Sequence, residues 1–472
     1  MRSRSSPGLT PRTRSLSIRR IRSLTGCRYA SHNRPRRSRI PPPGTPDADP
    51  CGAAGARRGA GARGVLSQPA LPAPLGALRA ALARLEQARA ETRIARAAFF
   101  PTLTAEASAT RQRTSLNAPT YAPGRPTTGN VFIAEGVLGY ELDLFGRVRN
   151  TVAGARASEQ ASAGDVAALD LSVHAELASD YFTLRGLDLQ QQFLDRTVAD
   201  YAKALELTEN LYRGGAAAIA DVQQAQAQLE TARTQAEDTR LRRAQTEHAI
   251  AVLIGREASD FTLPPRAEGA ELPVPEVAPG LPSQLLERRP DVAAAERRVA
   301  AANAALGVAR AAYFPVFNLA GAAGQESTRA SSWMSAPSRL WSIGPQGLLT
   351  IFDAGAHAAQ SATAHAAYDE QVANYRATVL VAYQDVEDNL AALRQLERES
   401  VSQAAAVTAT QGALEQANLR YKGGIVSYLE VVSTENAALS ARLTAVDIGI
   451  RRTNATVLLV KALGGDWRNS PR

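Results

Sequence analysis

Seven residues, ARAAFFP at 95–101, return almost unchanged as ARAAYFP at 309–315. A duplicated segment constrains the fold more than any other feature of the chain, because it means one structural unit built twice. The correspondence runs well beyond the heptads. ELTENLYRGGAAAIADVQQAQAQL (206–229) lies over EQANLRYKGGIVSYLEVVSTENAA (415–438). That alignment sets Tyr212 over Tyr421, Arg213 over Lys422, Gly214-Gly215 over Gly423-Gly424, and Asp221-Val222 over Glu430-Val431. The same offset of 209 holds from Leu184-Arg185 over Leu393-Arg394 to Gly255 over Gly464, whereas the heptads stand 214 apart, so a tolerant loop absorbs five residues.

Each copy changes its hydrophobic period at the same place. A helical stretch, LARLEQARAETRIARA or SQLLERRPDVAAAERRVAAANAALGVARA, is stopped by Pro101 or Pro315, since proline disfavours helix at the residue before it. The first stretch is brief beside its counterpart. Beyond the proline the period becomes two: Leu103, Ala105, Ala107 and Ala109 alternate with Thr102, Thr104, Glu106, Ser108 and Thr110. In LGYELDL, Leu138, Tyr140, Leu142 and Leu144 alternate with Gly139, Glu141 and Asp143. Strands are expected at about 101–112, 131–145, 315–325 and 341–352, each half forming a hairpin around a turn-rich loop. About ten residues is the span of a transmembrane β-strand. Four strands cannot close on themselves, and lipid tolerates no open edge. If the hairpins enter a membrane, several chains must share one barrel; otherwise they are two soluble hairpins over a core.

Helix follows each hairpin. Residues 147–212 lack proline, and a helix of that length reaches roughly 100 Å. The glycine pairs at 214–215 and 423–424 supply a reversal, and a returning helix runs to Gly255 or Gly464. Alanine- and glutamine-rich seams suit close antiparallel packing. Helices of this kind alone equally describe a soluble or peripheral coiled-coil scaffold, which has no reason to contain the hairpins twice.

Charge and composition exclude several functions. The net charge is +9, but residues 1–64 hold fifteen Arg and two Asp, a net +13, so the remaining 408 residues carry −4. The body is mildly acidic and offers no nucleic-acid face. Residues 1–64 have the Arg/Pro/Gly-rich composition of a disordered or misassigned segment. Within it, Leu24-Thr25-Gly26-Cys27 has the form of a lipoprotein cleavage box, so Cys27 is a candidate for lipidation, although residues 8–23 supply no apolar stretch before it. No run of 18 apolar residues exists, which excludes helical membrane spans. The five histidines form no HExxH, and neither a GxSxG elbow nor a GxxxxGK[ST] loop occurs. No enzyme, cofactor or metal site is expected. His357 and His365 read as ordinary helix surface, and the cluster Glu287-Arg288-Arg289-Pro290-Asp291 as a helix cap with ion pairs.

LPSQLLERRPDVAAAERRVAAA (281–302), ELDLFGRVR (141–149), IFDAG (351–355) and the two Tyr-basic-Gly-Gly turns together resemble the TolC-type outer-membrane efflux factors, in their nodulation-factor (NodT, OprM-like) lipoprotein branch. The resemblance covers roughly residues 75–467, with repeats at 75–260 and 283–467 joined by a linker at 261–282. It implies a mainly α fold with a membrane β-barrel: a homotrimer in which each protomer gives four strands to a twelve-strand barrel and its helices to a periplasmic tunnel. It further implies an outer-membrane location in a Gram-negative bacterium, contact with outer-membrane lipid, and partnership with a periplasmic adaptor protein and an inner-membrane pump. The polar strand face then lines the lumen.

Carried onto this chain, the resemblance makes Tyr212, Arg213, Gly214, Gly215, Tyr421, Lys422, Gly423 and Gly424 the tips where an adaptor docks. Asp221 and Glu430 fall near the pore constriction, where three copies of each form an acidic ring. Val426 and Ser433 depart from the Arg and second acid that some members carry. Phe99, Phe100 and Pro101, with Tyr313, Phe314 and Pro315, become helix-to-strand joints, their rings near the bilayer interface.

Overall fold

A computed structural model of the chain describes residues 73–117, 122, 124, 126–265, 288–465 and 467. Cys27, the segment 1–64 and residues 266–282 of the expected linker lie outside the described residues.

Helix α1 (Ala73–Ala97) leads into strands β1 (Thr102–Arg113) and β2 (Thr128–Leu142). Helices α2 (Arg147–Arg213) and α3 (Ile219–Ile254) follow. The plan then repeats as α4 (Pro290–Ala311), β3 (Val316–Ser327), β4 (Arg339–Leu348), α5 (Ala356–Lys422) and α6 (Tyr428–Ala462). The counterpart of the first helix has 22 residues in α4, its expected start at 283–287 lying outside the described residues, and α1 itself has 25. Pro74 and Gly76 make its start look like a loop in the sequence, yet proline is at home in a first helical turn, where its missing N–H is no loss.

The two hairpins do not stand apart. All four strands form one antiparallel sheet in the order β1-β2-β3-β4, with β2 pairing β3 across the repeat boundary from Phe132↔Ser327 to Leu142↔Phe317. The junction is tight. A Cβ on Gly324, which faces Glu135, would lie 2.2 Å from the Ala134 carbonyl oxygen, so only glycine lets the two repeats' strands meet there. Among the described residues strands β1 and β4 each have a single neighbour, which leaves both sheet edges unpaired there. Among the described strand residues, Glu106, Glu135, Glu141 and Glu326 share one face by register, whereas Leu103, Phe132, Tyr140, Phe317 and Trp341 share the other.

Strands β2 and β4 stop short of the expected 145 and 352. Leu144, Phe145 and Ile351 continue an apolar alternation, but the backbone has already turned: Asp143 and Asp353 bind the amides that open the next helix. Asp143 accepts from the Val148 and Arg149 amides at 3.0 and 2.8 Å, and Asp353 from Gly355 and His357 at 2.9 and 2.7 Å. Each thereby satisfies helix-start donors that have no intrahelical acceptor.

The helices pack as long antiparallel pairs, α2 with α3 and α5 with α6, and α2 also lies against α1, α4 and α6. Their seams set large side chains against alanines: Tyr201, Leu229 and Ala232 join α2 to α3, and Leu396, Ile448 and Ala455 join α5 to α6. Two buried ion networks brace the bundle. Arg243 of α3 binds Asp188 of α2 and Glu247 at 2.8 and 3.0 Å and the Leu263 carbonyl at 2.7 Å, while Arg185 binds Asp188 and the Pro264 carbonyl. Arg289, at the start of α4, binds Asp291, Asp385 of α5 and the Ala462 carbonyl that ends α6. For Arg289 and Asp291 the cap-and-ion-pair expectation therefore extends to a three-helix clamp, while Glu287 lies outside the described residues.

Candidate functional site: the paired tips and the joints

The tips form because α2 and α5 end in the same way. At the first, the Gly215 amide donates to the Tyr212 carbonyl at 2.9 Å and the Ala216 amide to Leu211 at 2.8 Å. At the second, Gly424 donates to Tyr421 at 3.0 Å and Ile425 to Arg420 at 2.9 Å. This is the paired 5→2 and 6→1 bonding of a Schellman closure, and it needs a left-handed residue; Gly215 and Gly424 adopt φ of 74° and 68°. A side chain there is strained whatever space surrounds it.

A small core brings the tips together. Ala225 of α3, Ala417 of α5, and Tyr428, Val431 and Val432 of α6 are buried as one cluster, against which Leu205 of α2 and Tyr421 pack. Tyr421 and Tyr428 lie with ring centroids 5.5 Å apart. Around this core Tyr212, Arg213, Gly214, Gly215, Lys422, Gly423 and Gly424 are exposed, and Tyr421 is partly so. Ile219, Ile425 and Leu429, which no sequence pattern singles out, are 50%, 71% and 63% exposed and place apolar surface at both tips. Alternation within a helical pattern gives no sign of which aliphatics a tip leaves uncovered.

The two acids at the third position of their helices behave differently. Asp221 accepts from the Ala218 amide at 3.2 Å, capping α3, and its charge reaches Tyr421 and Tyr428. Glu430 instead accepts from the Arg420 guanidinium at 2.9 Å. The cation that faces Glu430 is thus Arg420, on the preceding helix.

One further acid was not visible in the sequence. Glu435, on α6 behind the tip core, has a buried carboxylate oxygen with no hydrogen-bond partner. Burial, aided by the charge of Asp200, pushes its pKa up to about 7. Tyr201 and Tyr428 share this environment.

At the opposite end of the helices, Phe99, Phe100, Tyr313 and Phe314 are 40–70% exposed beside Pro101 and Pro315. Phe314 stacks on Phe145 with centroids 4.7 Å apart and planes 13° from parallel. The helix-to-strand joint of one repeat thus braces the strand-to-helix turn of the other. His357 is not plain helix surface: its ring nitrogen meets Asp353, and the ring lies 5.9 Å from Tyr313. The His357 amide and imidazole, with the Gly355 amide, hold the Asp353 carboxyl down to about 2. His365 pairs with Asp369 on the exposed helix surface.

The chain is similar to known proteins along most of its length. Residues 76–256 and 281–465 match the family described as "Outer membrane efflux protein". Outer membrane protein OprJ of Pseudomonas aeruginosa is 33% identical over 391 residues, 83% of this chain and 81% of that protein. The probable efflux pump outer membrane protein TtgC of Pseudomonas putida is 34% identical over 392 residues, 83% of this chain and 80% of its own length. The solved outer-membrane channel OprN superposes with a TM-score of 0.77 at 31% identity, over 83% of this chain and 87% of that one. A coiled-coil scaffold accounts for none of this, and that alternative falls. Matched along both repeats, the chain belongs to the outer membrane efflux protein family and has its place in the outer membrane.

Proposed function

We propose that three copies of this chain close one twelve-strand barrel and one continuous helical duct, forming the outer-membrane channel of a tripartite efflux system. Substrate enters from an inner-membrane pump through a periplasmic adaptor and moves passively. The observation that carries the reading is the four-stranded sheet with both edges unpaired, mounted on helices of 67 residues. In lipid those edges must find partners, and strand β4 running antiparallel to the β1 of a second copy continues the same pattern. The glutamate-bearing face then lines the water-filled lumen, and the aromatic face meets lipid.

The tips complete the reading. Two adjacent Schellman turns with exposed Tyr212, Arg213, Lys422, Ile425 and Leu429 offer an adaptor a mixed apolar and basic surface. Asp221 and Glu430, repeated three times, form the acidic ring at the narrow end. Membrane fractionation tests the whole: a heat-modifiable trimer in the outer membrane, conducting in a planar bilayer, is the expected result. A water-soluble species without conductance overturns it.

A further inference from the structure

Charge is sorted across the sheet by sign. Register places Glu106, Glu135, Glu141 and Glu326 on one face, and Arg111, Arg113 and Arg339 on the other, among the described strand residues. The three arginines share the face of Phe132 and Trp341, and all lie toward the loop end of the sheet, away from the helices. Each is exposed, with no acidic partner among the described residues.

Position along the strands fixes the depth of this basic rim. On the aromatic face of β2, Phe132 and Tyr140 are eight residues apart. Eight residues of antiparallel strand rise about 27 Å, and a tilt of about 40° leaves about 21 Å across the membrane, near the ~25 Å apolar band of outer-membrane barrels. Arg111 and Arg113 stand two and four residues beyond the rung of Phe132, whereas Arg339 shares the rung of Gln325 and Ala134, two residues inside Phe132. Aromatic rings such as Phe132 collect at the headgroup level, so the guanidinia of Arg111 and Arg113 sit among the headgroups of the leaflet farthest from the helices, and the long side chain of Arg339 reaches them from the inner margin. Arg111 and Arg113 occupy one edge strand and Arg339 the other. Closing the barrel brings the arginines of neighbouring copies to a common seam, three times around the rim.

We propose that this rim is a binding site for phosphate-bearing glycolipid headgroups of the outer leaflet. The inference rests on the trimeric barrel reading above. Guanidinium recognises phosphate bidentately, and an uncompensated cation on a lipid-facing surface is costly unless an anion meets it. The lumen acids on the opposite face lie beyond its reach.

The test uses the purified full-length trimer with diphosphoryl lipid A as probe. Retained lipid is counted by native mass spectrometry, and binding is followed on phosphatidylcholine vesicles with and without lipid A. R111Q/R113Q/R339Q is expected to lower lipid A retention roughly tenfold or more, with trimer heat-modifiability and single-channel conductance unchanged. E106Q/E135Q is expected to leave retention unchanged. Equal retention by the triple variant and the unmodified trimer overturns the inference, as does an equal loss in the glutamate variant. Displacement by millimolar inorganic phosphate alone also overturns it, because the site then takes free phosphate and not lipid. Absence of a conducting trimer in the unmodified protein instead overturns the barrel reading, so the two failures are distinguishable.

Discussion

Arg420 donates to Glu430 across 2.9 Å, tying the last turn of α5 to the first turn of α6. Both side chains are about half exposed, at 51% and 42%, so the pair contributes at most about 1 kcal/mol to stability. Its importance is positional, because it holds Glu430 against its own hairpin. Arg420→Gln is expected to leave the thermal midpoint of the trimer within a few degrees of its original value. Resting single-channel conductance should rise, as Glu430 and the neighbouring tip are released. Unaltered conductance removes the brace role.

In the proposed channel Asp221 and Glu430 set the charge at the narrow end. The double variant Asp221→Ala, Glu430→Ala is expected to weaken cation preference, read as a smaller reversal potential under a salt gradient. Neither residue lies on the strands, so membrane insertion should be unchanged. A reversal potential identical to that of the unmodified channel removes both from the constriction.

Glu435 makes stability depend on pH in a defined direction. Burial pushes its pKa in the folded state up to about 7, above the ordinary glutamate value of 4.5. The folded form therefore holds a proton that the unfolded form releases between about pH 4.5 and 7, and stability falls as pH rises through that window. Above it the buried carboxylate carries the full cost of its charge. Glu435→Gln is expected to raise the midpoint at pH 8 more than at pH 5, flattening the profile. Parallel profiles for the two proteins would show that this carboxyl titrates normally.

Gly324 offers a sharp steric test. An added methyl meets the Ala134 carbonyl oxygen at 2.2 Å and Glu135 at 2.5 Å, mostly backbone that has nowhere to go. Gly324→Ala should cost at least the 1–3 kcal/mol of overpacking and reduce the outer-membrane trimer seen on unheated gels. Gly129→Ala in the same sheet, with nothing within 4 Å of the added atom, is the matched control. Equal trimer yield from both variants contradicts the close β2–β3 junction.

Arg289→Ala strips Asp291, Asp385 and the Ala462 carbonyl of a buried donor at once. Removing one partner of a buried ion pair costs about 3–5 kcal/mol, and the 45% exposure of Asp385 places this case toward the lower end. Chemical denaturation in detergent should detect the loss, and Arg289→Lys should recover only part of it, because a lysine cannot bridge both carboxylates in the same plane.

Much of this architecture is legible in the residues, for reasons tied to particular positions. Pro101 and Pro315 mark the ends of helices, the switch from period 3.6 to 2 marks the strands, and the glycines at 214–215 and 423–424 mark the reversals. Such signals are local. The pairing of β2 with β3 is not local, since Glu135 and Gly324 are nearly two hundred residues apart, and no periodicity announces it. Asp143 and Asp353 were hidden by the apolar residues around them, which mimic continued strand. Arg420, Arg243 and Glu435 look like ordinary helix charges until neighbouring helices enclose or meet them. Their roles depend on packing, and packing is what a single sequence states least directly.

The stacked Phe145–Phe314 pair lies at one end of helices 67 residues long, with the tips at the other. A helix of that length is a lever of about 100 Å, so a rotation of 3° at its base sweeps the far end through about 5 Å. Errors at the base are magnified just as intended motions are. In the proposed channel the interlocked aromatics and aspartate-capped turns therefore act as a bearing, whose play sets how finely the distant tips can be positioned.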